Sequence, residues 1–310
     1  MPTYDTVVDE ALEDNSHTYL VRLVGPGKRV LDVGCATGYL GEVLKRRGCE
    51  VVGVEIDPSA AAKAADVLDE VLVADLEQVD LRDSFPPASF DVIVFGDVLE
   101  HLRDPLRLLR STVGLLRPGG SVVVSVPNVA HGSVRLALLQ GRWQYRDLGL
   151  LDRTHVTFFT RSTILRLMSD AGLAVVDLWP THADAMATEV EVDPADLPDG
   201  ALEWVRHQPD SDVYQFVLRA VVDDRDGAVA RLRAQVEALL VERDAARVEV
   251  AAARDALADV RVAGDEARRR AEVAEAEIEA LYSTRVLRAL RVPRRLYGRL
   301  REPSRGGRGR

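Results

Sequence analysis

The stretch VLDVGCATGYLG, Val30 to Gly41, decides the fold. A β-branched apolar run reaches Asp32, a loop of small residues carries Gly34 and Gly38, and a helix-compatible run opens at Tyr39. Small residues at a strand-to-helix turn let the backbone approach a ligand closely, and the helix start points its free amides at that ligand. Several nucleotide-binding folds share such a loop, so its neighbours have to decide among them.

Outward from it, short β-branched runs recur at Arg29–Val33, Glu50–Val54, Val71–Val73, Asp91–Phe95 and Ser121–Val126. Helical stretches lie between several of them, near Gly38–Arg47, Pro58–Ala65 and Pro105–Leu116. This alternation predicts an α/β fold, a doubly wound, mostly parallel sheet covered by helices on both faces. A helix that Thr160 or Ser162 caps and Gly172 ends, then strands at Leu173–Leu178 and Val213–Val222, complete a seven-stranded sheet. A leading helix is predicted from about Asp5 to Val24, stopped by Gly25, Pro26 and Gly27. The insert at 180–212 reads as a partly helical excursion with Trp204 as its main anchor.

These segments together resemble class I S-adenosylmethionine-dependent methyltransferases, whose first motif is an acidic residue followed by alternating glycines; here Ala36 stands at the middle glycine position. The resemblance implies that Asp32, Gly34, Cys35, Ala36, Gly38 and Tyr39 surround the methionine part of the cofactor. VVGVEID (Val51–Asp57) then supplies Glu55 for the ribose hydroxyls, with Ile56 beside it. VLVADLE (Val71–Glu77) supplies Asp75 for the adenine amino group and the Leu76 amide. FDVIVFGDVLEHLRDP (Phe90–Pro105) brings Gly96 and Asp97 to the cofactor edge, and LLRPGGSVVVSVPN (Leu115–Asn128) matches the following strand. S-adenosyl-L-methionine is therefore the expected cofactor.

A hydroxyl acceptor benefits from a base, and His101, His131 and His155 fall on the carboxyl edge where open α/β sheets place ligands. His155 is the first candidate and His131 the second; His101 is read as support for the cofactor loop, and Asp97 as lining for the acceptor pocket. His155 lies in LLDRTHVTFFT (Leu150–Thr160), a phrase similar to one in bacterial methyltransferases associated with surface polysaccharides and glycosylation. That resemblance implies O-methylation of a sugar or surface glycan. The alternatives are a quinone or other small metabolite as acceptor, and a non-catalytic cofactor-binding scaffold. The acceptor pocket is expected between Val129–Thr160 and the leading helix. No His or carboxylate spacing suggests a metal site.

From Val229 the pattern becomes a heptad: Val229, Leu232, Val236, Leu239, Arg243, Ala246, Val250 and onward through Gly264 to Ile278 and Leu281 without a slip. A long coiled coil follows, joining the chain to a second copy or a partner helix. The organisation is thus a methyltransferase domain at 1–222, a coiled coil at 223–284 and a basic tail at 285–310. The formal charge is −10, yet Arg285 to Arg310 holds ten arginines against one glutamate, so the excess acid lies in the body. An acidic body makes a nucleic-acid partner unlikely, and the amphipathic tail suits peripheral contact with an anionic membrane. Two cysteines, Cys35 and Cys49, are too few for a disulfide framework, and no apolar run reaches spanning length, so a cytoplasmic protein, peripheral at the inner membrane face, is expected.

Overall fold

The structure, a computed structural model, describes residues 12, 14–223 and 228–283. The chain divides into two compact units, Met1–Asp244 and Ala245–Arg310. In the first, the elements run α1 Ser16–Val24, β1 Arg29–Val33, α2 Tyr39–Arg46, β2 Glu50–Glu55, α3 Pro58–Ala64, β3 Glu70–Val73 and α4 Leu81–Ser84. They continue through β4 Phe90–Gly96, α5 Pro105–Val113, β5 Leu116–Pro127, α6 Gly132–Leu139, α7 Arg161–Asp170, β6 Leu173–His182, α8 Ala201–Arg206 and β7 Val213–Val222. A last helix, α9, spans Ala228–Ser283.

The seven strands form one sheet in the order β3-β2-β1-β4-β5-β7-β6. The first five are parallel, and β7 runs antiparallel between β5 and β6. The central strands carry mostly apolar runs because helices cover both faces. Alternate residues then feed two cores. Leu31, Val33, Ile93 and Phe95 pack with Leu108, Ile164 and Phe216 on one side. Val30, Val92 and Val94 pack with Leu20, Leu40 and Val217 on the other. Connections leave β1 in one direction for β2 and β3 and then cross back to β4, so a crevice opens at the carboxyl ends of β1 and β4, where such sheets bind ligands.

Local signals explain most boundaries. Asp57 accepts from the Ser59 and Ala60 amides ahead of Pro58, and Asp104 accepts from Arg107 ahead of Pro105, so both helices start at a capped proline. Thr160, not Ser162, caps α7, in a reciprocal box with Thr163. The leading helix begins at Ser16 rather than near Asp5: Asn15 has extended backbone, and its side chain accepts from the His17 and Thr18 amides. Residues 5–11 lie outside the described residues.

Trp204 is not the anchor of the 180–212 insert. It is 62% exposed, whereas its neighbour Val205 is fully buried with Leu136 and Ala185. Arg243, which interrupts the heptad, comes within 3.8 Å of Asp210. Its shorter partner is the adjacent Asp244, at 2.6 Å. Farther along α9, Val260, Ile278 and Leu281 are exposed in the single chain. The basic tail at 285–310 lies outside the described residues, and among the described residues no helix is long and apolar enough to cross a membrane.

Candidate active site

The loop after β1 is built around two residues with left-handed backbone in sequence reach of each other, Gly34 at φ +78° and Ala36 at φ +47°. The Gly34 and Cys35 amides both donate to the Val54 carbonyl, at 2.8 and 3.0 Å, which ties the loop to β2. A Cβ at Gly34 would stand 2.6 Å from the Val98 side chain, so this position has no room for any other residue. Gly38, at φ +85°, presses against Ala64 and Val67 and brings the start of α2 close to α3.

Glu55 closes the loop from the other side. One carboxylate oxygen accepts from the Ala36 amide at 2.9 Å and the other from the Asp57 amide at 2.8 Å. Each oxygen keeps a second lone pair for a ligand hydroxyl. Ile56, beside it, is exposed and offers an apolar surface. Asp75 is held by the Glu77 amide and the Gln78 side chain, and the Leu76 carbonyl accepts from Arg107. Asp32 is 3% exposed, and its Oδ2 has no hydrogen-bond partner. Burial, reinforced by the neighbouring Glu55 charge, pushes its pKa up to about 7. The Cys35 thiol is buried against Gly53, and burial beside Asp32 and Glu55 pushes its pKa upward, which makes it an inert packing group. Both cysteines are free.

At the end of β4, Asp97 takes a left-handed φ of +55°. Its amide donates to the Ser125 carbonyl and hydroxyl oxygen, and its Oδ1 accepts from Ser125 Oγ and Gln215 Nε2, both at 2.9 Å. These contacts hold a backbone shape that an Asp adopts only at some cost. Gln215 and its neighbour Tyr214 line a pocket of about 380 Å³ with Asp14, Asn15 and Ser16 before and at the start of α1, Thr181 and His182 at the end of β6, and Thr188 and Glu189. His182 pairs with Asp14 at 3.3 Å, and Glu189 accepts from Tyr214 Oη at 2.9 Å and from the Leu150 amide at 2.6 Å. Among the described residues, no Lys or Arg lines this pocket. This pocket is lined by the start of the leading helix, the ends of β6 and β7 and the insert, and the segment Val129–Thr160 lies outside its lining.

The histidines separate clearly. His131 is fully buried and caps α6: Nδ1 lies 3.2 Å from the Ser133 amide and 2.8 Å from its hydroxyl, and Nε2 lies 3.1 Å from the Ala183 carbonyl. With both nitrogens engaged and burial lowering its pKa, it fits a structural role rather than that of a base. His155 is buried with Nδ1 unpartnered, and burial followed by the His101 charge lowers its pKa. His101 packs edge-on to His155 with ring centroids 4.8 Å apart and holds Thr154, so it supports the LLDRTHVTFFT segment rather than the cofactor loop. Two residues that sequence reasoning missed also meet here. His17 stands edge-on to Tyr39 at 5.4 Å, and Gln215 holds Asp97. The helical spacing of α1 was a usable signal for the first, and nothing local marked the second.

A family model described as "Methyltransferase domain" matches residues 5–178. The chain belongs to this methyltransferase family. By this kinship it is an S-adenosylmethionine-dependent methyltransferase. The methyltransferase is 28% identical over 170 residues to the ubiquinone biosynthesis O-methyltransferase of Aeromonas salmonicida, covering 54% of this chain and 71% of that one. It is 30% identical over 175 residues to the enzyme of the same name from Xanthomonas campestris, covering 52% and 72%. Among solved structures, a possible histamine N-methyltransferase from Thermotoga maritima is 19% identical with a TM-score of 0.46, covering 66% of this chain and 87% of that one. A methyltransferase from Archaeoglobus fulgidus is 16% identical with a TM-score of 0.47, covering 68% and 96%.

Proposed function

We propose that this methyltransferase transfers a methyl group to a ring hydroxyl of a small aromatic diol of the quinone-precursor class. The observation that carries this reading is the kinship to ubiquinone biosynthesis O-methyltransferases over about half of this chain and more than two thirds of theirs. It displaces a sugar as the first expectation. The pocket suits an uncharged hydroxylated ring: it is small, lined by hydrogen-bonding groups, and offers carboxylates but no cation to a carboxylated or phosphorylated acceptor.

When bound, the cofactor supplies an electrophilic methyl on a sulfonium, and the chain's work is placement. Glu55 would take the ribose hydroxyls through its remaining lone pairs, Ile56 would offer the adenine an apolar surface, Asp75 would accept from its amino group and the Leu76 amide would donate to a ring nitrogen. Asp32 and the backbone from Gly34 to Gly38 would hold the methionine part, with Tyr39 and Gly96 beside it. Asp97, fixed by Ser125 and Gln215, then orients the acceptor hydroxyl toward the methyl.

The polar lining also favours a second reading, a sugar hydroxyl as acceptor, because Asp14, His182, Glu189 and Gln215 form the kind of lattice that polyols satisfy. One experiment separates the readings. Calorimetric titration of the chain and Glu55→Ala with S-adenosylmethionine should show binding that the substitution weakens at least tenfold, followed by radiolabelled transfer to catechols and not to sugars. Transfer to sugars alone would replace the first reading with the second, and cofactor binding without transfer to either would sink both in favour of a cofactor-binding scaffold.

We also propose that α9 pairs with a second copy of the chain. The heptad phase of its exposed residues supports this. Analytical ultracentrifugation should give a dimer or higher species that Leu257→Lys with Ile278→Lys dissociates; a monomeric parent chain would refute it.

A further inference from the structure

Glu100 follows Asp97 by one short turn, Leu99–His101, and this turn meets the segment Leu150–Thr160 from a distant part of the sequence. The Val156 and Thr157 amides both donate to the Glu100 carbonyl, at 2.9 and 3.0 Å. Thr157 Oγ1 adds a bond of 2.6 Å to the Leu102 carbonyl. This stitching brings a carboxylate and two imidazoles, from Glu100, His101 and His155, to a point where one potential ligand atom of each lies within 4.8 Å of the others.

We propose that Glu100, His101 and His155 form a binding site for a divalent transition-metal ion such as Zn²⁺ or Mn²⁺. Two imidazoles and one carboxylate on one side, with the remaining positions open, is a donor set that suits such ions. Metal–ligand bonds of about 2.0–2.2 Å set ligand atoms roughly 3–4 Å apart, so closure asks for side-chain movement of an ångström or less.

Two observations independent of that proximity point to a ligand. Glu100 is 1% exposed, and its Oε2 has no hydrogen-bond partner. His155 Nδ1 is likewise buried and unpartnered. A buried, unpaired carboxylate oxygen is costly, and a cation offsets that cost. The His101 ring is also held as metal-binding histidines are, with one nitrogen turned to the chain. His101 Nδ1 lies 3.3 Å from the Thr154 carbonyl and 3.1 Å from its hydroxyl, which in turn donates to Asp152 at 2.6 Å.

The site stands on this geometry alone; its role in methyl transfer rests on the acceptor reading above. A cation here takes an acceptor hydroxyl, and the oxygen releases its proton to solvent. The oxygen–carbon bond then forms as the sulfonium–carbon bond breaks, leaving the methylated acceptor and a neutral thioether.

The test uses the full chain, stripped with a chelator and titrated calorimetrically with ZnCl₂ and with MnCl₂ in the absence of acceptor. The expected result is one ion per chain, bound at least tenfold more weakly by His155→Ala and Glu100→Gln while affinity for S-adenosylmethionine is unchanged. No binding by the parent chain, or equal binding by both variants, overturns the site. Should the variants lose the cofactor as well, Co²⁺ added to the parent chain decides. Visible bands of a nitrogen-ligated, low-coordinate ion support the site, and the spectrum of aqueous Co²⁺ overturns it. Because the readout needs no acceptor, failure of the site leaves the methyl-transfer reading to be judged by its own experiment.

Discussion

Gln215 on β7 donates a 2.9 Å hydrogen bond to Asp97 at the end of β4, across 118 residues of sequence. The bond passes over β5, whose Ser125 Oγ meets the same carboxylate oxygen. Three strands therefore fix one side chain at the crevice.

Replacing Gln215 with Leu removes a hydrogen bond to a charged group, worth about 1.5–3 kcal/mol. The expected outcome is a rise of about tenfold or more in KM for the acceptor, with the dissociation constant for S-adenosylmethionine unchanged. Steady-state kinetics beside calorimetry checks it, and an equal loss in cofactor affinity would move Gln215 out of the acceptor site.

Asp32 sets a pH dependence of stability. Its pKa is about 7 in the folded chain against 3.8 for a free aspartate, so between these pH values the folded state holds a proton that the unfolded state has lost. Stability must then fall as pH rises from about 4 to about 7, by roughly 4 kcal/mol if the full shift applies. Urea unfolding of the parent chain and Asp32→Asn at pH 5 and pH 8 reads this directly. The variant should show the smaller change, and identical changes in the two proteins would refute the assignment.

Arg161 and Asp210 form an ion pair with side chains only 13% and 12% exposed, Nε to Oδ2 at 2.8 Å, and the guanidinium lies over the Phe216 ring at 5.3 Å. Truncation of Arg161 to Ala takes the bidentate partner from the buried Asp210 carboxylate and leaves the longer Arg243 contact at 3.8 Å. A loss of about 3–5 kcal/mol is expected from chemical denaturation. A change below 1 kcal/mol would mean that water reaches Asp210.

Asn128 is fully buried and uses both ends of its amide: Nδ2 donates to the Asp210 and Val213 carbonyls, at 3.0 and 2.8 Å, and Oδ1 accepts from the Ala130 amide. Asn128→Asp keeps the shape but turns a donor toward two carbonyls into an acceptor. It should destabilise by about 2–4 kcal/mol, above what one lost hydrogen bond costs. A variant that matches the parent in thermal unfolding would show that the side chain rotates freely.

The sequence was most legible where function and local geometry coincide. The run to Asp32, the glycines at 34 and 38 and the carboxylate at Glu55 all sit at strand ends, and a strand end is readable from a few neighbouring residues. The site's far wall was not, because Glu189, Tyr214 and Gln215 are ordinary polar residues until β6 and β7 fold back beside β5. α6, Gly132–Leu139, has apolar residues almost all round and so shows no helical period. Trp204 misled for the opposite reason: size suggested an anchor, but in a six-residue helix the inward position belongs to Val205. The proposed metal ligands escaped because His101 and His155 are far apart in sequence, and only the bonds between their two segments join them.

Those bonds from Thr154, Val156 and Thr157 to Glu100, His101 and Leu102 carry a consequence for recombination. Segments 97–102 and 150–160 behave as two halves of one cassette. A chimera that imports either half from a relative should inherit mismatched partners and lose turnover, whereas one that imports both should keep it.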